Sequence, residues 1–303
     1  EQGLPEAVKA ATEDLNRAEA KQRDVLHCGT AEAAPGCAVT VRYLYQVARG
    51  QPREIVFAQM LAGFELATND ARVVGLNLVM PEDALVPMRD FSLHMRLLDY
   101  LHSMYPKVHI TLHAGELVPG MVPPEGLRFH IRESIAVGHA ERIGHGVAVM
   151  QEDDALGLLR KMVKDRILVE VCLTSNSGIL GVSGTRHPLS TYLKQGVPVA
   201  LATDDEGVSR SEMTGEYLKA VADQQVDYRQ LKTMARNSLH YAFVEGGALW
   251  QNLERLTPVS ACAADLRGAR AAGTQCRAYL DQNTKARLQW ELEDAFTAFE
   301  RRF

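Results

Sequence analysis

Four apolar runs of this chain each finish in residues that can bind a metal, move a proton or hold a hydrogen bond. Val108–His113 leads into Ala-Gly-Glu116, and Arg142–His145 leads into Gly146. Val169–Leu173 leads into Thr-Ser-Asn176, and Val199–Thr203 leads into Asp204-Asp205. Imidazole and carboxylate are the donors that suit zinc and its neighbours in the first transition row. A carboxylate three residues past a ligating histidine, as Glu116 stands to His113, is placed to act as an acid and a base. Glycines on both sides of His145 leave its ring accessible. Two adjacent acids, Asp204 and Asp205, point in different directions, so one can ligate a metal while the other meets a substrate.

Each residue also has a plainer reading. His113 can be a satisfied core histidine, Glu116 a carboxylate favoured at a helix start, and Asp204 and Asp205 caps for the next segment. One polar strand end is unremarkable; four in succession, two with His and one with paired acids, are not explained by packing. His94, His102, His130 and His240 fall in helical segments and read as surface or helix-packing residues. His109, four residues before His113 on the same strand face, reads as interior. His187-Pro188 reads as a helix start that can border the same pocket.

The elements that must position these residues alternate. Strand-like runs occur at Val39–Tyr45, Val73–Val79, Val108–His113, Arg142–His145, Ile167–Leu173 and Val197–Thr203. Amphipathic helical patterns lie between them near 53–67, 88–104, 128–138, 153–164 and 186–194, and 211–222 and 228–243 follow the last strand. A polar, Ala-rich helix is expected over 5–25, and Leu288, Leu292, Phe296, Phe299 and Phe303 at helical spacing predict a packed C-terminal helix. This β-α order with short apolar strands predicts an α/β fold with a parallel sheet covered by helices. In such a fold all C-terminal strand ends share one face, so the four polar endings converge.

Length and composition bound the function. The 303 residues carry a net charge of −5, 46% hydrophobic and 23% charged residues, which is ordinary for a globular chain. With no basic stripe, nucleic-acid binding by charge has no support, and no apolar run approaches the ~18 residues of a membrane span. Nucleotide-binding glycine motifs of the G-x-G-x-x-G and G-x-x-x-x-G-K-[ST] kinds are absent. Of five cysteines, Cys28 and Cys37 flank one short loop and Cys262 and Cys276 another, while Cys172 lies in an apolar strand. This reads as two disulfides and one buried thiol, and hence a periplasmic or secreted protein; five free thiols in a cytoplasmic protein is the alternative.

The segments Thr111-Leu-His-Ala-Gly-Glu116, Arg142-Ile-Gly-His-Gly146, Val171-Cys-Leu-Thr-Ser-Asn176 and Val199-Ala-Leu-Ala-Thr-Asp-Asp205 resemble, in order and spacing, the motifs of adenosine deaminases. The nearest kind is the long, exported adenosine deaminase-related group that includes the deaminase-related growth factors. The resemblance covers about residues 70–245. It implies a TIM-type (β/α)8 barrel of the amidohydrolase type and one zinc ion. It implies that His113 and Asp204 ligate zinc, that Glu116 shuttles the proton and that His145 orients or deprotonates the attacking water. Asp205 then binds purine N7. The implied reaction is hydrolytic deamination of adenosine or deoxyadenosine by attack of zinc-bound hydroxide at purine C6.

Three departures stand out. The family takes two more ligands from a His-x-His on its first strand, and no His-x-His occurs in these 303 residues. Glu206 stands where Pro usually follows the acidic pair. Met80-Pro81-Glu82 stands where the family often has a purine-contacting Gly. With six strands counted rather than eight and a first residue that is Glu1, the expectation is a barrel lacking its first strands. A missing N-terminal segment, covalent or separate, would then be its partner beside the purine nucleoside. The expected layout is an N-terminal helix and loop over 1–37, barrel strands three to eight over 38–250, and a helical extension over 251–303. The alternatives are a non-catalytic binding or growth-factor-like protein with a defective metal site, and a different amidohydrolase reaction on another ring.

Overall fold

The computed structural model describes residues 3–265 and 272–303. They fall into two compact units, Glu1–Leu158 and Leu159–Phe303.

The first unit is built on four parallel strands: β1 (Tyr43–Ala48), β2 (Val73–Val79), β3 (His109–Ala114) and β4 (Arg142–His145). Helices Arg53–Asn69 and Phe91–Met104 cross between successive strands, and Leu85–Arg89 precedes the second of them. One face of these strands is apolar: Leu76, Leu78, Ile110, Leu112 and Ile143 share it and are all buried, as are Met60, Phe64 and Leu98 of the helices, while Asn77, Thr111 and His113 lie on the opposite face. A buried apolar face is what helices packed on a parallel sheet require. The N-terminal helix Leu4–Val25 has no fully buried residue. It is tied down by Glu19, which accepts hydrogen bonds from Tyr43 at 3.1 Å and Arg72 at 2.8 Å. The expected Cys28–Cys37 bridge follows it, with Cα atoms 5.6 Å apart.

Two of the sequence readings shift here. The first strand begins at Tyr43 and not at Val39, because Val39 and Val41 are 65% and 48% exposed and lie outside the sheet. His109 is not interior: it is the exposed first residue of β3, and its Nδ1 lies 2.7 Å from Glu141 Oε1.

The second unit contains β5 (Leu168–Val171) and β6 (Val199–Leu201), paired in parallel with Val169 opposite Val199 and Val171 opposite Leu201. Helices Leu189–Gln195, Met213–Gln224 and Tyr228–His240 accompany them. The last starts with a capping box in which Asp227 and Gln230 exchange bonds. The C-terminal part has a core of its own, where Leu249, Trp250, Leu280, Ala286 and Trp290 surround the Cys262–Cys276 bridge. The tail helix Thr284–Glu300 forms as expected, but its buried residues are Ala286, Gln289 and Trp290. Phe299 and Phe303, expected in the packed stripe, are 47% and 95% exposed. Cys172 is the buried free thiol. Among the described residues no helix is long and apolar enough to cross a membrane.

Candidate active site

β3 and β4 pair so that His113 lies opposite Gly144 and Ala114 opposite His145. This register sets the two polar strand endings side by side. Beyond Ala114 the chain turns at Gly115, whose φ of +74° is left-handed; an added Cβ would stand 2.7 Å from Ile131 Cδ1. Glycine is therefore required by conformation and by space. The turn brings Glu116 back over the strand end. Its Oε2 lies 3.4 Å from His113 Nε2 and its Oε1 lies 3.2 Å from His145 Nδ1. The two imidazole rings are 4.4 Å apart, centre to centre. His113, Glu116 and His145 form the one group among the described residues with three ligand atoms mutually within 4.8 Å. All three are largely buried, and His145 adopts φ +68°. A nitrogen–oxygen–nitrogen set of this size fits a divalent metal such as zinc.

Around this group stands a layer that the sequence motifs did not single out. Asn77 Oδ1 accepts the His113 N–H at 2.9 Å. Arg49, fully buried, donates from Nη1 to the His113 carbonyl at 2.9 Å and from Nε and Nη2 to the Met80 carbonyl. Met80 sits at φ +96°, a strained region for a residue with a Cβ. Glu82 accepts the N–H groups of Gly115 and Glu116, both at 2.8 Å, and pairs with His130 Nδ1. Burial pushes the Glu82 carboxyl up, but hydrogen bonds from His113 and His130 and the charge of Arg49 outweigh it and hold the group well below the usual carboxylate range. Burial likewise lowers the Arg49 guanidinium against the pull of Glu82 and Glu116. His130, read from its helical setting as a packing or surface residue, is buried, stacks on Phe91 and reaches Glu82. One signal for these groups was present: Arg49 and Glu82 each follow an apolar strand, as His113 and Asp204 do.

The other expected site residues belong to the second unit. Asp204, just past β6, is exposed, has φ +56° and accepts the Ser175 hydroxyl at 2.6 Å. Asp205 is exposed and opens the short helix Glu206–Ser209, yet its side chain makes no capping bond; the plainer capping reading does not account for it. The Thr-Ser-Asn segment is the first turn of a helix, Leu173–Leu180. Fully buried Glu216 accepts the N–H groups of Leu173 at 2.7 Å and Thr174 at 3.1 Å. Asn176 Oδ1 lies 3.1 Å from His187 Nε2, and burial lowers the His187 pKa to about 4. His187 thus packs behind the strand-end loop as a neutral ring.

Parallel strands ending in a His/Glu/His group define an α/β protein with a candidate metal site. A sequence model of the adenosine deaminase family matches residues 6–254, and the chain belongs to that family. It is 40% identical over 140 residues to the adenosine deaminase of Salmonella newport, covering 46% of this chain and 39% of that protein. It is 33% identical over 154 residues to the adenosine deaminase of Yersinia pseudotuberculosis, covering 50% of this chain and 43% of that protein. The chain thus spans about two fifths of the length of these curated relatives. Among solved structures, the apo N6-methyl-AMP deaminase of Arabidopsis thaliana matches with a TM-score of 0.54 at 26% identity, over 71% of this chain and 57% of that one. An amidohydrolase of Burkholderia ambifaria with bound Zn matches with a TM-score of 0.55 at 18% identity, over 71% of this chain and 55% of that one; at that identity the likeness concerns the fold alone. The parallel α/β architecture is thus that of the amidohydrolase type of TIM barrel, with six parallel strands among the described residues.

Proposed function

We propose that this chain carries the catalytic strand ends of a zinc-dependent deaminase that converts adenosine or deoxyadenosine to inosine or deoxyinosine. The observation that supports it most is the convergence of His113, Glu116 and His145 within 4.8 Å. In this reading His113 and Asp204 hold the zinc, which when bound makes a water acidic enough to attack carbon at neutral pH. The chain's own residues do the proton work. His145, 3.2 Å from Glu116, orients the attacking water and draws off its proton. Glu116 delivers a proton to purine N1, so that the ring nitrogen is neutralised as C6 becomes tetrahedral; its carboxylate then passes the proton of the new C6 hydroxyl to the amino group, the C6–N bond breaks, and ammonia leaves as the C6 carbonyl forms. Purine N7, which carries no hydrogen, accepts a hydrogen bond from the Asp205 carboxyl. The family's remaining two ligands come from a His-x-His, which these residues do not contain; the reading requires that pair from sequence outside them or from another chain.

The Cys28–Cys37 and Cys262–Cys276 bridges favour a periplasmic or secreted setting, since such bonds persist where the medium is oxidising. The absence of His-x-His favours the second reading, a binding or growth-factor-like protein on a deaminase fold. Inosine release from adenosine, measured by chromatography together with zinc content, separates the two. Glu116→Gln should lower turnover by about 10²–10⁴-fold with zinc retained. Wild-type turnover in that variant would remove Glu116 from the reaction, and zinc-loaded protein that makes no inosine would favour the second reading.

A further inference from the structure

The proton and ligand roles above make no use of Glu82. The geometry points to Glu82, backed by Arg49, as a positioning residue that sets the turn from His113 to Glu116 and thereby the facing of the two side chains. This rests on the deaminase reading of those two residues, but its test does not.

Glu82 is fully buried, with no side-chain exposure. Each of its oxygens is committed. Oε1 accepts the Gly115 N–H at 2.8 Å and faces His130 Nδ1. Oε2 accepts the Glu116 N–H at 2.8 Å and lies 3.4 Å from His113 Nε2. Two successive amides can converge on one carboxylate only where the chain between them turns, and Gly115 at φ +74° supplies that turn. The carbonyl on the other side of the turn, that of His113, is held by Arg49 at 2.9 Å. The backbone is therefore fixed on both sides by buried charged groups from the ends of β1 and β2. The His113 ring, in turn, has a carboxylate oxygen of Glu82 and one of Glu116 at the same 3.4 Å. A side chain that served stability alone would have no reason to meet both the peptide that aims Glu116 and the ring of His113. Outer groups of this kind typically change metal affinity or activity by about 10–100-fold when altered.

The test uses Co(II) as the probe and the full chain. Glu82→Gln keeps the volume and one acceptor, but places an NH2 group against one of the two amides. The expected result is a Co(II) affinity about 10–100-fold weaker, a changed visible Co(II) spectrum, and moved Gly115 and Glu116 amide resonances, with unfolding unchanged in cooperativity. A purely structural role would lower the folded fraction and leave the spectrum of the folded protein as it was. An unaltered Co(II) spectrum and affinity with unmoved Gly115 and Glu116 amides would overturn the proposal. Should the variant not fold, hydrogen exchange in the wild type decides: Gly115 and Glu116 amides are expected to exchange as slowly as those within β3, and exchange at open-loop rates would overturn it. A wild-type chain that takes up no Co(II) counts against the metal reading, and the amide measurements still decide the role of Glu82.

Discussion

Replacing Glu152 by Gln should change the pH dependence of stability by an amount that the structure fixes in sign and size. The Glu152 side chain is 1% exposed. It accepts the amides of Ile131 at 2.6 Å and Arg132 at 3.4 Å, at the start of the helix His130–Ala136. The Arg132 guanidinium stays 3.9 Å away. Burial raises the carboxyl from 4.5 to about 7, against the pull of those amides and of Arg132. Between these two values the folded protein holds a proton that the unfolded chain has released. Stability from this group is therefore complete below about pH 4.5 and is lost as pH rises to about 7. The slope is about 1.4 kcal/mol per pH unit, and over the window the loss is roughly 3 kcal/mol. His94 and His187 act in the opposite sense. Burial lowers each to about 4, so both stay neutral in the fold and add stability as pH rises from about 4 to 6.5. The wild-type curve alone mixes these slopes; the difference between wild type and Glu152→Gln isolates one. Urea unfolding of both proteins from about pH 5 to about pH 8 should show the wild type losing about 1.4 kcal/mol per unit relative to the variant, levelling near pH 7. Parallel curves would refute the dominance of burial over the two amide bonds.

Two further outcomes concern the second unit. Cys262→Ser opens a bridge between residues 14 apart and should cost about 3 kcal/mol, seen as a lower urea midpoint than that of the oxidised wild type. Glu216→Ala strips the acceptor from the buried Leu173 and Thr174 amides and should cost about 1–3 kcal/mol per amide left unpaired, read from thermal unfolding. An unchanged midpoint would mean that water replaces the carboxylate.

The sequence was most legible where local pattern and burial agree. Val73–Val79 is the strand expected, residue for residue, because an apolar run with Val73, Leu76 and Leu78 buried starts after Arg72 and stops before Pro81, which cannot donate to a ladder. The spacing of His113 to Glu116 predicted their proximity because both belong to one strand end and its turn. Legibility failed where the determinant is distant. The Leu173–Leu180 helix was read as a strand running into a loop, for Thr, Ser and Asn are poor helix formers. Its first amides are satisfied by Glu216, 43 residues further on. His109 was misplaced because period-two counting assumes one wet face, whereas β3 is buried on both faces in its middle and exposed only at its start. Arg49 and Glu82 went unrecognised because an isolated charge after an apolar strand reads as a surface residue, and only the assembled fold supplies the partners that make its burial affordable.

Glu82, Glu152 and Glu216 share one device. Each is a buried carboxylate that accepts two successive backbone amides: Gly115 and Glu116, Ile131 and Arg132, Leu173 and Thr174. A turn beyond a parallel strand leaves N–H groups with no ladder partner, and burying them unpaired is unfavourable. Water could satisfy them but would leave the turn free to rearrange, whereas a buried carboxylate holds two donors in one orientation. Two of the clamps also differ in charge. Glu82 is held ionised by histidines and Arg49, while Glu152, with Arg132 no nearer than 3.9 Å, is pushed up to about 7. Of these two, the clamp next to His113 is the one that keeps its charge across the physiological range. The clamp at Glu152 holds the helix whose first residue, His130, meets Glu82. A change at Glu152 can thus reach the His113–Glu116 turn through a single helix end, without either residue being in contact with a substrate.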